Sequence, residues 1–304
     1  MFDFLRFVRA VATNQLAALM PAVYVRLTKQ TGRGDGDQES VADMAAYFRQ
    51  SVDEYLLQLN VSKDAANDFL KGKTIVEYGP GDFPGVAILM LALGARKVYC
   101  VDRFSLIQLS RKNHLVCQEL INRLDTDGRN RLADLFVDSN ASRRVLNPNR
   151  IEYLVRPHGF SELHDEADLV LSRAVLEHVD DLQGTFGDMV RAMKPGSNAV
   201  HLVDLRSHGL HRENPLDFMV PSRRMWSLMY SNKGVPNRWR LSTYRDILSA
   251  LPLQEVGFIQ TQSASRADVD RVRPSLDRQF RMLADEDLTC LGFWVFFRKP
   301  SNLV

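Results

Sequence analysis

Residues 74–85 read TIVEYGPGDFPG, and the order of residue types within them decides the fold. Thr74, Ile75 and Val76 are β-branched or apolar and favour a strand. Glu77 and Tyr78 follow, then a loop with glycines at 79, 81 and 85, then the apolar run Val86–Leu93 at helix length. Strand, glycine loop and helix in that order bring backbone close to a ligand and offer it the free N–H groups of a helix start. The spacing is G-x-G-x-x-x-G, one residue longer than the dinucleotide fingerprint, and Pro84 occupies a glycine position of that fingerprint. A second short strand, Lys97–Val101, ends in Asp102, where an acid can accept from two ribose hydroxyls. By itself the loop also fits a purely structural turn. Asp102 and the pattern downstream favour a nucleoside.

Outward from this stretch, strand and helix signals alternate, which predicts an α/β fold with a doubly wound, mostly parallel sheet. Further strands are expected at Ile151–Arg156, Ala167–Ser172 and Asn198–Leu205, with two last strands at Gly257–Ser263 and Leu291–Lys299. Helices are expected over 105–124 and Leu241–Leu251, and residues 125–149 read as a polar, partly helical insertion. Residues 206–240, rich in Arg, His, Pro and aromatics, read as an inserted cap. Upstream, Val41, Met44, Ala45, Phe48, Val52, Leu56 and Leu59 lie near helical spacing. The expected division is a helical accessory segment over 1–72 and a main domain over 73–304 carrying the 206–240 cap.

The chain has 304 residues, 45% hydrophobic, enough for one enlarged domain. Lys and Arg number 39 against 37 Asp and Glu, so charge gives no indication of a nucleic-acid partner. Cys100, Cys117 and Cys290 are widely spaced, with neither a disulfide frame nor zinc spacing, so no metal and a reducing cytoplasm are expected. Residues 2–28 are apolar and helix-compatible. Ala10–Val25 is too short to span a bilayer, and Asp3 ahead of it argues against a signal peptide. This segment either packs on the body or on a second subunit in a homodimer, or lies as an interfacial helix in peripheral contact with a membrane.

Four motifs in order resemble class I S-adenosylmethionine-dependent methyltransferases. Glu77, Gly79 and Gly81 are similar to their E-x-G-x-G motif, and Asp102 to the acid ending their second strand. Residues 168–179, DLVLSRAVLEHV, resemble their fourth-strand motif, and Met193–Gly196 (MKPG) resembles the L-K-P-G turn after it. The resemblance implies a seven-stranded sheet with an antiparallel last strand, S-adenosyl-L-methionine as cofactor and S-adenosyl-L-homocysteine as product. It also implies that Glu77, Tyr78, Gly79, Pro80 and Gly81 meet the cofactor's amino-acid tail and sugar. Asp102 would take the ribose hydroxyls, Arg103 with Gly159 and Phe160 would border adenine, and Ser172 and Arg173 would border the methionine part. Glu77 either meets the tail's ammonium or holds the loop through its N–H groups.

Methyl transfer from a sulfonium is an in-line displacement that needs an aligned nucleophile, and an oxygen nucleophile usually needs a base. The base candidates are His208, with Asp204 to orient it, and His178, while His211 lies nearby. The run from Asp204 to Tyr244 also resembles D-L-R-x-H…P-L-x-F…W…N-R-x-R-x-S-x-Y patterns in bacterial methyltransferases of glycan or secondary-metabolite type, with Ser207 where an acid would precede the histidine. Phe218, Met219, Trp226, Met229 and Tyr230 either pack the cap or wall the acceptor. Arg223, Arg224, Arg238 and Arg240 either bind an anionic acceptor or form a solvated face. The expected acceptor is a hydroxyl of a small molecule or glycan precursor. N-methylation of an amine, or a non-catalytic cofactor-binding protein, are the alternatives.

Overall fold

The structure is a computed structural model that describes residues 4–28, 39–108, 110–138, 144–211 and 213–301. The chain opens with helices α1 (Phe4–Leu19), α2 (Pro21–Thr28), α3 (Val41–Gln58) and α4 (Ala66–Leu70). The body follows as β1 (Thr74–Tyr78), α5 (Gly85–Ala92), β2 (Lys97–Asp102), α6 (Arg111–Asn122), α7 (Thr126–Arg131), β3 (Phe136–Asp138), β4 (Arg144–Leu146) and β5 (Ile151–Val155). It continues through β6 (Ala167–Arg173), α8 (Leu182–Ala192), β7 (Met193–Asp204), α9 (Arg223–Tyr230), α10 (Leu241–Ser249) and β8 (Gln254–Ser263). Three short helices, α11 (Arg266–Val272), α12 (Arg278–Arg281) and α13 (Asp285–Thr289), precede β9 (Cys290–Arg298).

Seven strands form one sheet in the order β5-β2-β1-β6-β7-β9-β8, with β9 antiparallel to both neighbours. The chain lays down β1, β2 and β5 toward one edge, then returns to place β6 on the other side of β1. The order therefore reverses between β1 and β6, and a crevice opens at their carboxyl ends. All five residues of β1 are buried, as a strand covered on both faces requires. All eight residues of α5 are buried too, which suits a helix whose sequence is apolar on every side.

That helix is covered by α3. A Cβ on Gly85 would fall 2.3 Å from the Phe48 ring, so glycine there lets α3 and α5 touch. Met44, Phe48, Val52 and Leu56 of α3 share one core with Ile75, Ile88 and Leu171 of the body.

Two predicted details differ. MKPG does not form a turn after a strand; it opens β7, with Met193 paired to Ala167 and a register shift before Leu169 meets Asn198. The 125–149 stretch is partly helical, as expected, but it also carries the antiparallel pair β3–β4, where Phe136 faces Leu146.

The cap shares a separate core with the helices after β8: Phe218, Met219 and Trp226 pack with Val269, Val272, Leu276 and Phe280. Arg240 is buried and donates to the carbonyls of Asp287, Leu205 and Cys290. Arg238 is buried as well, donating to Pro221 O at 2.7 Å beneath the Trp226 and Phe280 rings. These two arginines are structural and do not serve as anion ligands, whereas Arg223 and Arg224 are exposed.

α1 packs on α9. Asn14, 1% exposed, donates to Ser227 O (3.2 Å) and Leu228 O (3.0 Å) and accepts from Asn232 N (2.9 Å). Asn14 thereby ties α1 to carbonyls of the last turn of α9. No helix among the described residues is long and apolar enough to cross a membrane.

Candidate functional site

The glycine loop after β1 is shaped by contact. Gly79 has φ +70° and donates to Val101 O at 2.8 Å, which ties the ends of β1 and β2 together. A Cβ at Gly79 would lie 2.2 Å from Cγ2 of Val175, so only glycine fits between the strand ends.

Beside it, Asp102 uses one carboxylate oxygen locally. Oδ1 accepts from Arg103 N at 2.8 Å and Phe104 N at 3.4 Å. Oδ2 is screened from solvent and has no protein donor. Burial pushes this carboxyl up to about 7, against the pull of those two amides. A vicinal diol would supply the missing donors, so the residues present fit a ribose. Gly159 lies against Arg103, with its virtual Cβ 3.8 Å from Arg103 Cβ. Phe160 packs at the start of α8, near Gly184. Arg103 itself pairs with Asp180 at 2.6 Å. The strand-end residues 102–104 and 159–160 thus come together as one edge of the crevice.

A cavity of about 710 Å³ opens next to this edge. Glu77, Gly79, Pro80 and Val86 form its floor, Tyr47, Phe48 and Tyr55 of α3 one wall, and Arg173, Ala174, Asp204, His178 and residues 206–209 the other. Glu77 is 6% exposed; burial pushes it up to about 8, while the Ala87 amide in the first turn of α5 pulls the other way. Arg173 is held by Glu54 at 2.6 Å and lies over Tyr47 and Trp294.

Side chains alternate along a strand, and this separates the predicted site residues. Glu77 and Arg173 face the cavity. Tyr78 and Ser172 are paired neighbours on the other face. Tyr78 donates to Asp188 Oδ2 at 2.6 Å, and the Ser172 hydroxyl meets His201 Nδ1 at 2.8 Å; both are buried there and turned away from the cavity.

The far wall is polar. Nε2 of His208 lies 3.6 Å from Asp204 Oδ2, and Arg206 binds the same carboxylate bidentately. Burial would raise Asp204, but His208 and Arg206 outweigh it and hold it well below the usual carboxylate range. Ser207 Oγ hydrogen-bonds His211 Nδ1. Below them the turn Leu176–His178 carries Glu177, 1% exposed, with neither carboxylate oxygen hydrogen-bonded. Burial first pushes Glu177 well above its ordinary range, and the Asp204 charge adds to this against the pull of the nearby Glu177 and Asp204 amides. His178 stacks edge-on against His208, with centroids 4.8 Å apart, and burial followed by the His208 charge lowers it to about 4. Ala174 and His208 both have left-handed backbones, φ +53° and +49°, the kind of local strain that clusters at functional sites. Asn237 of the cap clasps this turn, donating N–H to Glu177 O at 2.6 Å and Nδ2–H to Leu176 O and Val179 O.

Sequence reasoning did not place Tyr47, Phe48 and Tyr55 in the site, because their spacing signals only a packed helix face. It also passed over Glu177, whose unpartnered burial has no linear signature.

Residues 44–254 match the family model described as a methyltransferase domain. Among solved structures, phosphoethanolamine N-methyltransferase 2 of Haemonchus contortus with S-adenosyl-L-methionine is 16% identical, with 76% of this chain and 49% of that one covered at a TM-score of 0.41. The chain therefore spans about half the length of that enzyme. An S-adenosylmethionine-dependent methyltransferase from Mesorhizobium loti is 18% identical over 76% of this chain and 92% of its own, with a TM-score of 0.39. No curated protein matches the sequence. With more than two thirds of its length matched by that model, the chain belongs to the methyltransferase-domain family.

Proposed function

We propose that the chain transfers a methyl group to a hydroxyl of a small molecule or glycan precursor bound between α3 and the 206–211 segment. The observation that carries this reading is the Asp204–His208 pair on the wall of the cavity that Glu77 and Gly79 floor. S-Adenosyl-L-methionine, when bound, supplies an electrophilic methyl on a sulfonium.

The residues of the chain do the rest. Asp102 Oδ2 takes the ribose hydroxyls, Gly79 and Pro80 let the ligand approach the main chain, and Glu77 with Arg173 borders the amino-acid tail. Tyr47, Phe48 and Tyr55 exclude water from one side. His208 is where the acceptor hydroxyl is activated, with its ring set by Asp204 as carboxylates commonly set imidazoles. Positioning and proton removal are the contributions the protein must make, the second worth about 10²–10⁴-fold.

Titration calorimetry and turnover test this together. The wild-type chain should bind S-adenosyl-L-homocysteine, and His208→Ala should keep that affinity while losing about 10²–10⁴-fold in turnover. Full activity in His208→Ala would remove the residue from the chemistry. Supplying amine and hydroxyl acceptors side by side separates O- from N-methylation.

A further inference from the structure

We propose that Glu177, His178 and His208 bind a divalent transition-metal ion at the base of the acceptor cavity. One carboxylate oxygen and one ring nitrogen from each histidine all lie within 4.8 Å of one another, a span an ion can draw together. Two nitrogens and one oxygen suit zinc, manganese or iron(II). Independently, Glu177 is 1% exposed and both its oxygens lack a hydrogen bond, as does the buried Nδ1 of His178. Buried carboxylates without partners are rare because their desolvation is uncompensated, and a cation would compensate it. Asp204, 3.6 Å from His208 Nε2, is the carboxylate that commonly orients a metal-binding imidazole. The ligands come from two segments, the turn after β6 and the loop after β7, so no linear spacing announces them.

Three protein ligands leave coordination positions for an outside oxygen. His178 and His208 also line the cavity, so those positions face the acceptor. The inference rests on the preceding reading for the acceptor's location and deepens it. An acceptor oxygen bound to the ion is held in place and made more acidic, and its proton leaves to solvent. His208 then acts as a ligand, not a free base. The substrate class is a hydroxyl compound whose reacting oxygen, alone or with a neighbouring oxygen, coordinates a divalent ion.

The full-length chain, stripped with a chelator, is titrated with cobalt(II) and with zinc. One ion per chain is expected, with a cobalt absorption spectrum showing nitrogen ligation. Glu177→Gln and His178→Ala should each weaken binding by about tenfold or more, first-sphere losses being at least as large as second-sphere ones. Binding of S-adenosyl-L-homocysteine by the same variants reports that they remain folded. Absence of saturable binding in the wild type, or unchanged affinity in both variants, overturns the site. Metal binding without any cofactor binding would instead sink the methyl-transfer reading and leave the site standing.

Discussion

The strand-end edge around Gly79 and Asp102 and the wall around Glu177 and His208 form two halves of one crevice, built on opposite principles. The first is made almost entirely of backbone and one acid, fixed by β1–β2 register and by glycine geometry. The second is made of side chains from three segments, held by contacts between residues far apart in sequence, such as Asn237 with Leu176. On the proposed reading the backbone-built half takes the cofactor and the side-chain-built half the acceptor.

Substitutions probe this contrast most strongly at the first half. Asp102→Ala should weaken S-adenosyl-L-homocysteine binding about 100-fold, the loss of two charge-assisted hydrogen bonds at about 1.5 kcal/mol each, read by calorimetry. Unchanged affinity would show that the backbone alone holds the cofactor. On stability rather than binding, Arg240→Ala should destabilise the fold by about 3–5 kcal/mol, because it opens a cavity and strands three buried carbonyls. Denaturant unfolding measures it, and a loss below about 1 kcal/mol would mean the cap is not tied to the sheet through this residue.

The sequence carried the first half well and the second poorly. Order, direction and extent of β1, β2 and β6 followed from β-branched runs and glycine punctuation, which are local signals. The roles of Arg238 and Arg240 did not, since a charge run looks the same whether it meets solvent or buried carbonyls. Tyr78 and Ser172 show a subtler limit: the motif places them at the strand ends, but alternation points them toward Asp188 and His201.

A pH series sharpens the comparison further. Glu77 and Asp102 are raised to about 8 and about 7, above their ordinary values near 4.5 and 3.8. The stability they contribute in the neutral form is present at acid pH and is lost as pH climbs through the raised values. Melting temperature of the ligand-free chain should therefore fall between about pH 4 and pH 8 and level off above, and Asp102→Asn should flatten that fall. Parallel slopes for the two proteins would refute the assignment. The smallest effect concerns α1. Asn14→Ala should cost about 1–2 kcal/mol locally and speed hydrogen exchange in α1 and at the end of α9, with the sheet unaffected.

The clasp formed by Asn237 has a consequence for how acceptor preference could be re-engineered. A single asparagine fastens the 206–240 segment onto the bend that carries Glu177 and His178. Chimeras that exchange residues 206–236 keep this fastening, and those that cut beyond 237 without an asparagine lose it. New specificities should therefore arise by rewriting the insert on one side of a fixed rivet.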